Sequence, residues 1–192
     1  MGGIINLRIG LSQRVLYHNG IAYDSTERGW YQFLNPHSII PIANDPYQNF
    51  NLIADSIDVL ILSGGDDSAI RRVTEIKLAS LMMLRKKPII GICHGYFLLS
   101  ELFGCGISDI EAHYNTTHEA IYAGAKICVN SFHSLCVNNI PSELNPLVLD
   151  LEGNIESWVH KKMPIGGVSW HPERSENEFA LPDEINLILK GL

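Results

Sequence analysis

Short runs of apolar residues alternate with segments of helical periodicity through the first half of the chain. Strands are predicted at residues 7–11, 39–42, 59–62 and 89–92, and helices at residues 27–34, 69–84 and 96–103. The run Val59–Leu62 is apolar at every position, as in a central strand that is covered on both faces. Strands that alternate with helices predict an α/β fold, with a mostly parallel sheet between two layers of helices.

The second half of the chain has a different pattern. Short apolar runs follow one another with few helical segments between them, at residues 120–129, 135–137, 147–149, 155–159 and 167–170, before a final helix at 182–189. We expect these runs to form antiparallel strands that extend or flank the sheet. Because the 192 residues contain no repeat and no Pro/Gly/Ser-rich linker, we predict a single domain over residues 1–192.

Composition and charge exclude several classes of protein. Apolar residues make up 46% of the chain, and 14 basic residues against 21 acidic ones give a net charge of −7. An acidic surface argues against binding to nucleic acid or to anionic membranes, and no apolar run reaches the ~20 residues of a membrane span. The four cysteines have no C-x-x-C spacing, which argues against a redox motif or a structural zinc site. We therefore expect a cytoplasmic protein with reduced thiols.

The segment from residue 88 to residue 96 combines a strand, the pattern Gly-x-Cys-x-Gly and the start of a helix. In a nucleophile elbow, the reactive residue stands on a strained strand-to-helix turn, and glycines two residues away on either side keep other side chains clear. Cys93 would then lie at the carboxyl edge of the sheet, where open α/β folds bind ligands. The helix N-terminus would favour its thiolate. Taken alone, the pattern fits a buried structural cysteine equally well.

Two further motifs supply the partners that a reactive thiol needs. A predicted strand near the C-terminus leads to His171, and Glu173 follows two residues later. These side chains provide a general base and a carboxylate that orients it. After the third predicted strand, Gly64 and Gly65 form a turn whose backbone N–H groups can stabilise an oxyanion together with the N–H of His94. Each motif alone is also consistent with an ordinary loop.

In this order, the motifs resemble those of the class I glutamine amidotransferase-like superfamily. The matching segments are Ser-Gly-Gly-Asp at 63–66, Gly-Ile-Cys-His-Gly at 91–95, Val129–Leu135, Asp-x-x-Gly-x-Ile-Glu at 150–156 and Trp-His-Pro-Glu at 170–173. The resemblance spans nearly the whole chain. It implies a flavodoxin-like three-layer sandwich with a central, mostly parallel sheet and added antiparallel strands in the C-terminal half.

The resemblance also implies a role for each matched residue. Cys93 is the nucleophile, His171 the base and Glu173 its orienting carboxylate, while the N–H groups of Gly65 and His94 form the oxyanion hole. Substrate contacts are expected at Arg14, Gly64, Phe97, Ser131, Phe132 and His133. The implied reaction is hydrolysis of a γ-glutamyl amide through a glutamyl-thioester, which releases glutamate and needs no cofactor.

One position departs from the family pattern. Many glutaminases of this family carry Gln four residues after the nucleophile, where it contacts the glutamyl group, and this chain has Phe97 there. The departure leaves open whether free glutamine is a substrate. The long segment before the Gly-Gly turn, with Ser12-Gln13-Arg14 directly after the first strand, resembles the γ-glutamyl hydrolase branch, including hydrolases of bacterial capsule biosynthesis. That resemblance implies a γ-glutamyl-CDP-amidate substrate, with Arg14 as a cation for its phosphates.

Other functions stay open on the sequence alone. They are a glutaminase subunit that passes ammonia to a separate synthase, a hydrolase of γ-glutamyl amines such as γ-glutamyl-GABA, and a catalytically inactive binding protein on the same fold. The expected partner is a small-molecule γ-glutamyl substrate, and a homodimer is one assembly that the sequence leaves open. Arg71 and Arg72 are interpreted as helix residues, with Arg72 and Glu75 forming an ordinary surface pair.

No metal site is expected. The spacings of His113, His118, His133 and His160 do not form a compact ligand set. A mechanism based on a cysteine thiolate also needs no metal.

Overall fold

The computed structural model describes residues 6–111, 113–175 and 179–190. Its strands are β1 (Arg8–Ser12), β2 (Arg14–His18), β3 (Ile21–Ser25), β4 (Ser38–Ile42), β5 (Val59–Leu62), β6 (Ile89–Ile92), β7 (Gly106–Asp109), β8 (Tyr114–Tyr122), β9 (Ala125–Phe132), β10 (Leu135–Asn139), β11 (Leu144–Asp150), β12 (Ile155–His160) and β13 (Ile165–Val168). Its helices are α1 (Gly29–Phe33), α2 (Phe50–Ser56), α3 (Ala69–Leu84), α4 (His94–Leu102) and α5 (Asp183–Leu189), with a short 3-10 helix at Pro172–Arg174. The first five and last two residues of the predicted domain lie outside the described residues.

A parallel group of strands forms the centre of the sheet. The strands lie in the order β4-β1-β5-β6-β13, and each neighbouring pair is parallel. Every residue of β5 and β6 is buried, as expected for strands that are covered on both faces. Because these strands run in the same direction, their carboxyl ends bring Ser12, Leu62, Ile92 and Val168 to one edge of the sheet.

Successive residues of β5 pack into two apolar clusters on opposite faces of the sheet. Leu60 and Leu62 pack with residues of α2, α3 and α4, whereas Val59 and Ile61 pack with residues of α1 and α5. The alternation follows from the pleat of a strand, whose successive side chains point to opposite faces. The result is a flavodoxin-like three-layer α/β arrangement, which confirms the predicted fold class.

The C-terminal half extends this sheet with antiparallel strands, as predicted. Strand β12 pairs with β13, and the sheet continues through β11, β8 and β9. The run predicted as one strand at 120–129 is instead part of the hairpin of β8 and β9. The chain reverses at Ala123 and Gly124, which have φ angles of 49° and 80°, as in a two-residue type I′ turn. An Ala-Gly pair lacks the Asn or Asp that usually marks such a turn, so the two strands resemble one run.

The sequence-based prediction lacks helix α2, strand β7, the 3-10 helix and the hairpin of β2 and β3. The hairpin turns at Asn19 and Gly20, whose positive φ angles of 50° and 75° suit the usual Asn-Gly turn. Most of its residues are exposed, so its strands lack the apolar and polar alternation that a half-buried strand shows. No helix in the described part of the chain has the length and apolar character needed to cross a membrane.

The buried position of β5 predicts a strong effect of truncation in its middle. Leu60 is fully buried, so Leu60→Ala leaves a cavity in the core and should lower the free energy of unfolding by about 2–5 kcal/mol. Leu52→Ala is the matched control, because Leu52 is 65% exposed and its truncation should change that value by less than about 0.5 kcal/mol. Urea unfolding of both variants measures the difference, and equal effects would contradict the described core.

Candidate active site

Cys93 stands on the turn between β6 and α4, at the carboxyl edge of the sheet. Its backbone has φ 49° and ψ −107°, a strained conformation for a residue with a side chain. Hydrogen bonds hold the turn on both sides. The N–H of Cys93 donates to the carbonyl oxygen of Val168 at 2.9 Å, and the carbonyl of Cys93 accepts from the N–H of Phe97 at 3.1 Å. Cys93 therefore lies at the N-terminus of α4, where the helix dipole favours a thiolate.

Two glycines are required by close backbone contacts around this turn. A Cβ on Gly95 would lie 2.1 Å from the carbonyl oxygen of Leu62, and a Cβ on Gly91 would lie 2.5 Å from the carbonyl oxygen of Gly95. Because both collisions are with backbone atoms, no side-chain movement relieves them. The two glycines of the Gly-x-Cys-x-Gly pattern thus allow α4 to pack directly against β5 and β6.

His171 and Glu173 follow β13 and lie at the same edge of the sheet. The imidazole of His171 packs on Gly64, where an added Cβ would lie 2.2 Å from Cε1 of the ring. Nδ1 of His171 is 2.7 Å from Oε1 of Glu173, and both side chains are buried. An ionised carboxylate only accepts hydrogen bonds, so Nδ1 carries the proton. Nε2 is then the nitrogen left to interact with Cys93.

Asn130 fixes the backbone of His171. Its Oδ1 accepts from the N–H of His171, and its Nδ2 donates to the carbonyl oxygen of the same residue, both at 2.9 Å. Asn130 belongs to β9, so this pair of hydrogen bonds ties the antiparallel half of the sheet to His171. Sequence reasoning assigned Asn130 no such role, and its place directly before Ser131 in the matched segment was the only indication.

Interactions with its neighbours raise the pKa of His171 to about 9. Burial lowers this pKa, but the interactions of the ring with Cys93 and Glu173 outweigh the effect of burial. At neutral pH the ring is therefore an imidazolium beside the thiol. An imidazolium in this position holds a proton that it can donate to a neighbouring group.

The oxyanion-hole residues predicted from the sequence lie beside Cys93, where Gly65 and His94 line the same cavity. Gly65 has a φ of 123°, which favours glycine. The carbonyl oxygen of Gly64 accepts from Nη1 of Arg71 at 3.3 Å. Because a peptide is planar and trans, the N–H of Gly65 points away from Arg71. An N–H group with this orientation is of the kind that can stabilise an oxyanion.

A buried ionic network lies beneath the loop at residues 63–66. It shows that Arg71 and Glu75 of α3 are buried, whereas the sequence pattern predicted Glu75 as part of a surface pair. Arg71 is fully buried and donates to backbone carbonyls of the loop at residues 63–66 and, at 3.0 Å, to Glu75. The other carboxylate oxygen of Glu75 is 2.8 Å from Nε2 of His94. Burial raises the pKa of Glu75, but hydrogen bonding to His94 and the charge of Arg71 lower it overall. Arg72 pairs with Glu101 rather than with Glu75.

A cavity of about 620 Å³ opens beside Cys93. Its lining includes the apolar residues Phe97, Leu98, Ile107 and Leu135, the aromatic residues Tyr114 and Phe132, His133, and the charged residues Asp66, Asp67, Arg72 and Glu101. Arg72 is already paired with Glu101 and Asp67. The cavity rim is therefore acidic and repels anionic groups.

A second, polar cleft shares the ring of Phe132 with this cavity. It is lined by Asn115, Thr116, Thr117, Asn130, Phe132 and Arg174. The guanidinium carbon of Arg174 lies 4.7 Å from the centre of the Phe132 ring. Arg174 also donates two hydrogen bonds of 2.8 Å to Glu27, and Arg14 is 3.4 Å from the same carboxylate. Nε of Arg174 also lies 4.0 Å from Oε1 of Glu173, so Arg174 joins Glu27 and the carboxylate beside His171 on this side of Phe132.

The structure separates the predicted substrate contacts into two groups. Phe97, Phe132 and His133 line the catalytic cavity. Ser131 is fully buried, and its hydroxyl donates to the carbonyl oxygen of His113, so it supports the cavity wall from behind. Gly64 lies under the catalytic imidazole, and Arg14 lies beside Gly65 outside the cavity lining.

The four cysteines are free thiols, and they differ in environment. Burial raises the pKa of Cys105 to about 11, which makes this thiol a poor nucleophile at neutral pH although it also lines the cavity. Cys136 is buried and Cys128 is exposed. Cys93 differs from them in having a helix N-terminus and a charged imidazole beside it.

The chain belongs to the class I glutamine amidotransferase family, because the family model described as Glutamine amidotransferase class-I matches residues 30–181. Members of this family are amide-hydrolysing enzymes, and the arrangement around Cys93 fits that chemistry. Among curated relatives, the gamma-glutamyl-CDP-amidate hydrolase of Campylobacter jejuni is 28% identical over 182 residues, which cover 86% of this chain and 90% of that protein.

Two other similar proteins belong to GMP synthases. The glutamine-hydrolysing GMP synthase subunit of Methanococcus maripaludis is 29% identical over 184 residues, which cover 86% of this chain and 89% of that protein. The crystal structure of a putative GMP synthase subunit from Thermoplasma acidophilum has a TM-score of 0.75 at 17% identity and covers 96% of this chain and 93% of that one. At that identity, the structural match supports the fold alone.

The raised pKa of His171 predicts the alkaline limit of activity. The imidazolium that donates a proton is present below pH 9 and is lost as the pH rises through about 9, so kcat/KM should fall there. The carboxylate charge of Glu173 raises the pKa of His171. Glu173→Gln removes this charge and should therefore move the alkaline limit of activity to lower pH. Asp67→Asn is the control, because Asp67 lies on the cavity rim and its loss should leave the limit in place. An unchanged limit in Glu173→Gln would contradict the pairing.

The neighbouring arginines of α3 allow a matched test of the oxyanion loop. Arg71→Lys keeps the charge but loses the planar fork that holds the loop carbonyls. We expect kcat to fall by about 10–100-fold with little change in KM, because the oxyanion donors shift. Arg72→Lys changes the adjacent, partly exposed arginine and should leave kcat within about twofold. Steady-state kinetics of both variants, with circular dichroism to check folding, give the comparison, and equal effects would refute the assignment.

Proposed function

We propose that this protein is a γ-glutamyl amide hydrolase that works through the triad Cys93, His171 and Glu173. The observation that carries the proposal is the convergence of a strained cysteine, a charged histidine with an orienting carboxylate, and two backbone donors at one cavity. A thiolate, an acid–base group and an oxyanion hole are the parts that acyl transfer requires. The four free thiols also suit the cytoplasm, where cysteines stay reduced.

The reaction divides into two steps. The thiolate of Cys93 attacks the γ-carbonyl carbon, and the N–H groups of Gly65 and His94 stabilise the oxyanion. The imidazolium of His171 gives its proton to the nitrogen as the C–N bond breaks, which leaves a glutamyl-thioester and a neutral imidazole. This imidazole then takes a proton from water as the water attacks the thioester. The C–S bond breaks, glutamate leaves, and the thiolate–imidazolium pair is restored.

For the substrate, we propose a γ-glutamyl group joined to a nucleotide, namely γ-glutamyl-CDP-amidate. Hydrolysis would release glutamate and cytidine diphosphoramidate, a precursor for phosphoramidate groups of capsular sugars. The relative from Campylobacter jejuni, which aligns over 86% of this chain, supports this substrate. The polar cleft beyond Phe132 supports it as well, because Arg174 lines this cleft and can contact a phosphate group there.

Phe97 supports a substrate other than free glutamine. Its ring forms part of the apolar wall and packs 5.4 Å from the ring of His133. An apolar wall offers no hydrogen bond to the polar groups of a free amino acid, so part of their desolvation cost is not recovered. Binding energy from a larger leaving group can offset this loss.

A second candidate function is a glutaminase subunit that supplies ammonia to a separate synthase. The observation in its favour is the similarity to the GMP synthase subunit of Methanococcus maripaludis, at 29% identity over 86% of this chain. This function predicts slow hydrolysis of glutamine by the chain alone and strong activation by a partner. A hydrolase of γ-glutamyl amines such as γ-glutamyl-GABA is a further alternative on the same triad.

The substrate proposal is tested by glutamate release from γ-glutamyl-CDP-amidate, γ-glutamyl-GABA and L-glutamine. We expect kcat/KM for the nucleotide conjugate to exceed that for the other two by at least about 100-fold, or about 2.7 kcal/mol. Cys93→Ala should abolish release and controls for contaminating enzymes. Phe97→Gln should raise activity on glutamine relative to wild type. Equal rates on glutamine and on the conjugate would overturn the substrate and favour the glutaminase function.

A further inference from the structure

A cluster of three imidazoles surrounds one buried carboxylate behind the catalytic cavity, contrary to the expectation from sequence spacing. His113 precedes β8, His118 lies within it, His133 follows β9, and Glu156 belongs to β12. The pairing of these strands brings together histidines that are far apart in the chain, which spacing alone does not reveal. His160 stays apart, packed on the ring of Phe103.

The distances within this cluster are too long for direct hydrogen bonds. The closest nitrogens of His113, His118 and His133 lie 3.4, 3.7 and 3.7 Å from the carboxylate oxygens of Glu156. An N–H···O hydrogen bond spans about 2.7–3.2 Å. Nδ1 of His113, both ring nitrogens of His118 and Nε2 of His133 are buried without a hydrogen-bond partner among the described residues. Such groups are costly unless something else satisfies them.

Three members of this cluster have ligand atoms close enough to share one ion. One nitrogen each of His113 and His118 and a carboxylate oxygen of Glu156 lie within 4.8 Å of one another. His133 borders this group, and its Nδ1 lies 2.7 Å from the carbonyl oxygen of Leu135. A cation held by the group of three would satisfy ring nitrogens of His113 and His118 that lack a partner among the described residues.

We propose that His113, His118 and Glu156 form a binding site for one divalent transition-metal ion of the zinc class. Zinc bonds of about 2.0–2.1 Å to tetrahedral ligands place the ligand atoms about 3.4 Å apart, close to the separations of 3.4 and 3.7 Å between the two histidines and Glu156. Three protein ligands leave a fourth tetrahedral position for a water molecule. Asp150 lies 3.7 Å from the other ring nitrogen of His113 and provides a second carboxylate nearby.

A metal in this site would hold one wall of the catalytic cavity. His133 lines the cavity and packs against Phe97, while the carbonyl of His113 accepts a hydrogen bond from the hydroxyl of Ser131. The ion would tie this wall to β12 without touching the reacting atoms. It therefore has a positioning role, and the thiol mechanism proceeds without metal chemistry.

The test measures zinc in the full-length Cys93→Ala protein, because the catalytic thiol and imidazole can themselves bind zinc. After incubation with zinc chloride and desalting, mass spectrometry of the metal should give about one zinc per chain. The double variant Cys93→Ala/His118→Ala should retain less than about one fifth of that amount. Cys93→Ala/His18→Ala is the matched control, because His18 is an exposed histidine on the β2–β3 hairpin, and should keep one zinc.

Thermal stability with zinc and the absorption spectrum with cobalt test the same metal site in two further ways. Saturating zinc should raise the Tm of Cys93→Ala but not that of the His118 variant, because a ligand stabilises only the state that binds it. Cobalt bound to Cys93→Ala should show the visible absorption of a tetrahedral site, which decides the question if the His118 variant fails to fold. Less than about one fifth of a zinc in folded Cys93→Ala, an equal content in the His118 variant, or no tetrahedral cobalt spectrum would overturn the site.

Discussion

The close approach of α4 to the ends of β5 and β6 is the constraint on which the rest of the site depends. Gly95 meets the carbonyl of Leu62, and Gly91 meets the backbone of Gly95, at separations that exclude any Cβ. This contact forces the chain through the strained turn at Cys93. The same turn places the thiol at a helix N-terminus and His94 in the lining of the cavity. Packing energy from the two apolar clusters thus maintains the strained conformation of Cys93.

Buried glutamates recur around this turn, each beside a histidine. Glu173 is hydrogen-bonded to His171, Glu75 to His94, and Glu156 faces His133. The first pair raises the pKa of His171, and the second joins His94 to the ionic network beneath the loop at residues 63–66. The pKa values of Glu75 and Glu156 are lowered, because their histidine and hydrogen-bonding neighbours outweigh the effect of burial. Ionic and hydrogen-bonding pairs therefore fix the side chains around Cys93, whereas apolar packing holds the strands and helices that carry them.

Much of this arrangement could be predicted from the sequence, because its motifs have strict backbone requirements. The elbow glycines and the apolar strand Val59–Leu62 determined the expected fold class and the location of the thiol. Residues whose role depends on long-range packing could not be recognised. Arg71 resembles any polar residue on the first turn of a helix, and its burial follows only from the loop that folds over it. The hairpin of β8 and β9 could not be recognised, because its Ala-Gly turn lacks the usual turn residues. The histidine cluster could not be recognised either, because it forms only when strands that are distant in sequence pair.

Central to the proposed mechanism is a covalent glutamyl intermediate on Cys93. Mass spectrometry of the protein, quenched in acid during turnover of γ-glutamyl-CDP-amidate, tests for this intermediate most directly. We predict a glutamyl adduct on the peptide that contains Cys93, which disappears when the substrate is exhausted. An adduct on another residue, or glutamate release by the purified Cys93→Ala protein at the wild-type rate, would contradict the mechanism.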